Sequence, residues 1–428
     1  MGYLEHVRTS KGLSTAWRRA RALVQQVGPT TQRMNRTLDA YLSLLDAFHI
    51  HPTFPTPAAV VHAHPSTTRE LRSRGVEIAV HGYHHVDYTT LSPAEQEVHI
   101  EKAVTYFREQ GLPLIGFRAP YLRWNTSLLD VLARHRFVYD SSLSVYWDVV
   151  DMPIPPDAHA RLQRVVHFYR AQDAASEPVL PSWHGNLLLL PVSLPDDEIL
   201  VDRLGLSGEA VGRVWSRILA RTHEQGELFV LQLHPERFGA CRDGLAHLLQ
   251  EAQALSPPVW IAPLEEIARW WRSRTQLSLT LRAAGPHTWE LAIPNAQRVG
   301  LLVRGVRTEP ASTQWMGEWQ WVSHPRVRIH SPARPTVGLG PQVPPDLARY
   351  VRDLGYLTEP VTAEHVIVLE ESEGDAAARA RVRAQLEESR VPLIRVNPWP
   401  GNSRSALAVT GDLDVLTWWD FLARLFLA

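Results

Sequence analysis

At 428 residues the chain exceeds what one hydrophobic core normally serves, so a large domain of about 250 residues with something smaller beside it is expected. Apolar residues at 45% against 21% charged are the balance of an ordinary folded protein, and a formal net charge of -1 with dispersed arginines leaves no basic face for nucleic acid. The single cysteine, Cys241, excludes an intrachain disulfide and a thiolate zinc centre, so any metal site has to be built from His, Asp or Glu.

The first 28 residues contain no apolar core of signal-peptide length, and no stretch approaches the roughly 18 apolar residues of a membrane span. The expected location is therefore the cytoplasm. Residues 31–50 carry Leu38, Tyr41, Leu42, Leu45 and Phe48 at helical spacing, and the prolines of HPTFPTP end that helix. A second helix is predicted over 66–74, stopped by Gly75. The apolar run VEIAV (76–80) then reads as a buried parallel strand that leads directly into His81. Ser92-Pro93-Ala94-Glu95 is a capping-box start for a helix closing at Gly111.

The alternation continues. LIGFRAPY is a strand running into a loop, NTSLLDVLARHR a helix, FVYDSS a strand, and NLLLLPVSLP a further single strand. GEAVGRVWSRILARTHEQG is helical, ELFVLQLHP strongly apolar and β-type, 242–254 helical, PPVWIAP a strand and LEEIARWWRSR a helix. Such regular alternation with short connections argues for a parallel α/β fold, open or closed into a barrel.

Beyond Arg274, short β-type runs without helices (LSLTLRAAG, TWELAIP, RVGLLVRGV, EWQWVSH) suggest a small β-rich module over 276–335. SPARPTVGLGPQVPPD reads as a linker. The span 336–400 is then taken as linker plus a short α/β segment, and 401–428 as a C-terminal strand and helix. The tryptophan pairs 270–271 and 418–419 fall in helical patterns and read as core.

His81 and His85 in HGYHH can hold one divalent cation, because a turn after a strand lets both imidazoles enter the cleft at the strand end. Twenty histidines in 428 positions produce about one such pair by chance, so the spacing alone leaves surface or capping histidines open. FRAPY (117–121) follows, and LQLHPE places His234 after an apolar strand. Taken separately, the first also reads as a strand ending at a proline turn and the second as a structural histidine.

Together, in this order, the three motifs resemble the polysaccharide deacetylases, the NodB-homology or carbohydrate esterase family 4 proteins. The resemblance covers roughly 60–275 and the last 25 residues. It implies a distorted (β/α) barrel over 1–275, with the small β-rich module and the α/β segment inserted before a C-terminal strand that completes it. It also implies a divalent metal, with zinc expected, on His81 and His85. Arg118 would hold the catalytic carboxylate, the backbone N–H of Tyr121 would bind the oxyanion, and His234 would be the general acid. A further family motif supplies an acid that tunes this histidine. Asp196 and Asp197 in PVSLPDDE match it loosely and read equally well as loop acids.

One departure is large. The family opens on a strand ending in paired acids, and nothing before His81 offers them. The C-terminal ALAVTGDLDV does: Asp412 would be the base and Asp414 the third metal ligand, in a circularly permuted barrel. An acidic turn capping a helix, or a site completed by another chain, are the alternatives. The function expected on this resemblance is metal-dependent removal of an N-acetyl group from a sugar or polysaccharide. Hydrolysis of a non-sugar amide and an inactive carbohydrate-binding protein using tryptophan platforms are the competing readings.

Overall fold

A computed structural model describes residues 27–152, 156–294 and 298–427. The N-terminal stretch in which no signal-type core was found lies, up to residue 26, outside the described residues. The chain divides into two compact units. The first takes in the chain up to Ala254, Ile261–Ala268 and the residues from Ala406 onward; the second comprises Leu255–Trp260 and Arg269–Ser405.

The first unit is an α/β barrel-like fold around a curled sheet. Its strands run in the order Leu228–Gln232, Ser405–Thr410, Thr53–Thr56, Glu77–Val80, Gly116–Phe117, Tyr139–Asp140, Leu187–Leu189 and Ser182–His184. All neighbours are parallel except the last pair, which is a hairpin. The residues of Leu228–Gln232 and Ser405–Thr410 are buried throughout, which is why these strands read as unbroken apolar runs. The C-terminal strand lies between Leu228–Gln232, in register from Leu228 with Ala406 to Gln232 with Thr410, and Thr53–Thr56.

Helices cover this sheet where the sequence placed them. Pro93–Glu109 begins with the expected box: the Ser92 hydroxyl accepts from the Glu95 N–H, and the Glu95 carboxylate accepts from the Ser92 N–H at 2.7 Å. Glu209–Gln225 ends at Gly226, left-handed at φ 76°. Two helices, Ala58–Ala63 and Pro156–Phe168, were not predicted.

NLLLLPVSLP is not one strand. Leu187–Leu189 pairs with Tyr139–Asp140, whereas Val192–Leu194 joins a separate three-stranded parallel sheet with Ser144–Tyr146 and Gln172–Asp173. Pro191, which has no N–H to give a ladder, stands at the break. Nor are both tryptophan pairs core. Trp270 and Trp271 are buried, but Trp418 and Trp419 are 36% and 67% exposed, since Leu413, Val415 and Leu416 just before them take the interior positions.

The second unit contains two four-stranded sheets with antiparallel pairing and one three-stranded parallel sheet. Leu393–Val396 pairs antiparallel with Leu301–Arg304, so the β-rich runs and the α/β segment share a sheet. The Pro- and Gly-rich stretch expected to be a linker instead supplies the central strand Val337–Leu339, flanked by Thr358–Pro360 and Val368–Leu369, and then opens the helix Pro345–Asp353. Buried Val337 and the ladder bonds on both sides account for that order.

In the barrel unit, Gly116 sits where a Cβ would lie 1.9 Å from the Tyr139 ring, whose hydroxyl is fixed to Glu77 at 2.7 Å. Gly116→Ala is expected to lower unfolding free energy by roughly 1–3 kcal/mol in urea denaturation. An unchanged midpoint would mean that the ring can move aside.

Candidate active site

Every side chain in the predicted constellation follows the C-terminal end of a parallel strand, the end at which open and closed α/β sheets present their ligands. Val80 delivers His81, whose N–H bonds to the Thr56 carbonyl at 3.0 Å. The His81 Nδ1 donates to the Arg118 carbonyl at 2.8 Å, so in the neutral ring the Nε2 carries the lone pair. That nitrogen is buried without a hydrogen bond, 3.4 Å from an Asp414 oxygen and 3.7 Å from one of Asp412. Gly82 lets the chain turn between the two histidines: its φ is +79°, and a Cβ would lie 2.9 Å from the His84 carbonyl and the Tyr88 hydroxyl. The His85 Nε2 is 3.2 Å from the other Asp414 oxygen, and its ring meets Tyr121 edge-on at 4.4 Å.

The Thr410-to-Asp414 turn is stitched to its neighbours by Gly411 N–H to the Thr53 carbonyl and Leu413 N–H to the Pro55 carbonyl. Asp412 is thereby held among donors. Arg118, fully buried, gives Nη1 to Asp412 Oδ1 at 2.8 Å and to the Thr410 hydroxyl at 2.9 Å. Its remaining nitrogens bond to the Ser141 carbonyl and hydroxyl at 3.0 Å. The second Asp412 oxygen accepts from the Gln232 amide at 2.9 Å.

His234 follows the next strand. Its Nδ1 lies 2.9 Å from Asp197, and its backbone N–H donates to the same carboxylate. Arg237 stands on the far side of Asp197 at 3.4 Å and reaches Asp202 at 2.8 Å. Burial works against an imidazolium here, but the charge and hydrogen bond of Asp197 more than offset it and lift His234 from 6.5 to about 10. Asp196, by contrast, turns away to accept the Ile199 N–H. Burial, then the charges of Asp197 and Glu198, push its carboxyl up to about 7. Asp140 is likewise pushed up to about 7 by burial, against hydrogen bonds from the Ser142 hydroxyl and N–H.

The structure thus brings together His81, His85, Asp414, Asp412, Arg118 and the Tyr121 ring, and of the two loosely matched acids it puts Asp197, not Asp196, on His234. Sequence reasoning missed Gln232, Thr410 and Ser141. Gln232 sat two residues before His234 in the quoted LQLHPE, and an amide in an otherwise apolar strand was its only signal.

Whether a cation suits this site can be tested on the side chains themselves. His81, His85 and Asp414 each offer one ligand atom, all within 4.8 Å of one another and all buried. A lone pair on His81 facing carboxylate oxygens of Asp414 and Asp412 is repulsive unless positive charge lies between them, so the donor set fits a divalent ion with nitrogen and oxygen ligands.

The family model for polysaccharide deacetylase matches residues 26–139, the span that carries His81, His85, Arg118 and Tyr121. Over that stretch the chain is similar to the polysaccharide deacetylases. It is 37% identical over 93 residues to the peptidoglycan deacetylase-like protein FGM2 of Gibberella zeae, covering 22% of this chain and 28% of that protein. It is 24% identical over 103 residues to the peptidoglycan deacetylase of Helicobacter pylori, covering 24% and 35% respectively. A solved structure assigned to the polysaccharide deacetylases, from Mycobacterium smegmatis, aligns with 58% of this chain and 81% of its own at 23% identity and a TM-score of 0.43. The chain therefore spans about a third or less of the length of the curated relatives it matches.

The His234 environment sets a pH dependence in the first unit. A histidine whose folded pKa is raised contributes stability in full below its unfolded value near 6.5, and that contribution is lost as pH rises through about 10. The wild type is expected to lose stability relative to His234→Gln between pH 6.5 and 10 in urea denaturation series. Parallel curves for the two proteins would show that Asp197 does not hold a proton on His234.

Proposed function

We propose that the barrel unit removes N-acetyl groups from a carbohydrate, hydrolysing the amide C–N bond, with His81, His85 and Asp414 holding a divalent cation, zinc by preference for this donor set. The observation that carries this reading is the buried cluster of those three side chains beside Asp412. A bound cation would supply an acidified water and polarisation of the acetyl carbonyl.

The chain's own residues divide the remaining work. Asp412 is held at both oxygens by Arg118 and Gln232, which fix its orientation, and in this reading it takes a proton from water. His234, which Asp197 keeps protonated through neutral pH, can give a proton to the departing amine nitrogen. The Tyr121 backbone N–H, in a turn with φ 59° at that residue, is the proposed donor to the oxyanion. In this reading the C-terminal strand stands where the family has its first, which makes the barrel a circular permutation. Its support is the position of Ser405–Thr410 between Thr53–Thr56 and Leu228–Gln232.

Stoichiometric metal in the wild type that is lost in both His81→Ala and Asp414→Ala is the expected elemental analysis. Metal retained without Asp414 would make the C-terminal turn structural. Asp412→Asn should fold and bind metal normally, yet release acetate from N-acetylated sugars about 10²- to 10⁴-fold more slowly. A wild-type rate in that variant would remove Asp412 from the role of base.

A further inference from the structure

The second compact unit contains two buried arginines, Arg274 and Arg304, and half-buried Arg395, none of which the proposed deacetylation uses. Register places their side chains on one sheet face. Leu302 lies opposite Trp321 and Arg395 in adjacent strands, Arg304 is two residues on from Leu302, and Tyr356 faces Arg395 across an isolated antiparallel bridge. The guanidinium groups of Arg395 and Arg304 lie over the Trp319 ring at 4.4 and 4.8 Å, and Arg395 also lies 5.8 Å from the Tyr356 ring. Trp319 and Tyr356 are themselves neighbours at 6.3 Å.

Buried donors in this cluster are left without acceptors. The Nε atoms of Arg304 and Arg395, the hydroxyl of Tyr356 and Nη1 of nearby Arg274 are all buried and make no hydrogen bond. Arg304 is 4% and Tyr356 3% exposed. Among the described residues, the acids of this region are engaged elsewhere: Glu387 with Arg383, Glu318 with Arg390, and Asp353 with Arg349. Burial depresses Arg304 and Arg274, the latter to about 10; the like charge of Arg395 adds to this, while Asp353 opposes it at Arg274 and Tyr356, Glu318 and Glu387 oppose it at Arg304. Cations whose carboxylates stand outside hydrogen-bond reach, with buried donors left unbonded, are costly, and a site of this kind is relieved by an anion.

We propose that this unit binds an oxyanion, a phosphate or carboxylate group, between Arg395, Arg304 and the Tyr356 hydroxyl against Trp319. The planar guanidinium groups suit an oxygen-bearing anion, and the half-buried indole gives the rest of the ligand a surface to stack on.

Calorimetric titration of the full chain with inorganic phosphate and, separately, with acetate, at ionic strength held constant by sodium chloride, tests the proposal. Saturable binding of either anion is expected, and the tighter of the two identifies the group. Arg395→Gln should weaken it at least about tenfold, and Tyr356→Phe, which deletes only the hydroxyl, roughly threefold to tenfold. Both effects should persist in a His81→Ala background, where the proposed cation site is disabled. No saturable binding to the wild type overturns the proposal, as does binding that His81→Ala abolishes and Arg395→Gln leaves intact.

Discussion

Arg118 is the constraint on which the first unit's functional end depends. Its guanidinium is fully buried, so its charge has to be answered inside the protein, and its partners come from the turn after Tyr139–Asp140 and from the C-terminal strand. The Arg118–Asp412 pair joins residues 294 positions apart. Loop-closure entropy rises only by about 0.6 kcal/mol per doubling of loop length, whereas leaving one member of a buried ion pair alone costs roughly 3–5 kcal/mol. Summed over a separation of 294 residues the closure term reaches about 5 kcal/mol, comparable with the ion pair, so the strand pairing on both sides of Ser405–Thr410 shares in holding it beside Thr53–Thr56. Thr410 serves the same join, accepting from Arg118 and donating to the Leu231 carbonyl at 2.8 Å.

Burial alone does not decide what the ionisable groups do; their partners do. Asp140 meets only neutral donors from Ser142 at hydrogen-bonding distance, so burial wins and its carboxyl shifts up. His234, equally enclosed, faces a carboxylate, and the same burial is overruled in favour of the charged ring. Arg237 moderates this by sharing Asp197, and Asp202 and Glu236 in turn share Arg237. The result is a histidine held in its charged form by Asp197.

These contacts explain which features could be read in the sequence. A parallel strand buried on both faces is a continuous apolar run, and the residue after it lies at the functional end, so VEIAV before His81 and LFVLQL before His234 were legible. The capping box at Ser92 was legible because its two bonds are local. Gln232 and Ser141 were not, because only the register between strands far apart in sequence brings them to Asp412 and Arg118. Local composition also misled where tertiary pairing prevailed: NLLLLPVSLP looks like one strand but is divided between two sheets at Pro191, and a Pro- and Gly-rich stretch became the centre of a parallel sheet.

The same electrostatic rule separates structural arginines from those available to a ligand. In the first unit Arg118, Arg203 and Arg237 each have a buried carboxylate within reach. The second unit is able to do likewise: Arg334 takes both oxygens of Glu359 at 2.6 and 2.7 Å, and Thr336 adds a third bond to that carboxylate. A unit that pairs one arginine so fully, yet leaves Arg274, Arg304 and Arg395 to carbonyls and aromatic faces, does not lack acids to spend on them. Stacking on Trp319 keeps Arg304 and Arg395 in place at small desolvation cost; the Nη atoms of Arg304 go to the Leu386 and Glu387 carbonyls and the Ser389 hydroxyl, while the Nε donors of both arginines stay open. A structural ion pair would have closed those donors, and their remaining open is what distinguishes a binding face from a folding contact.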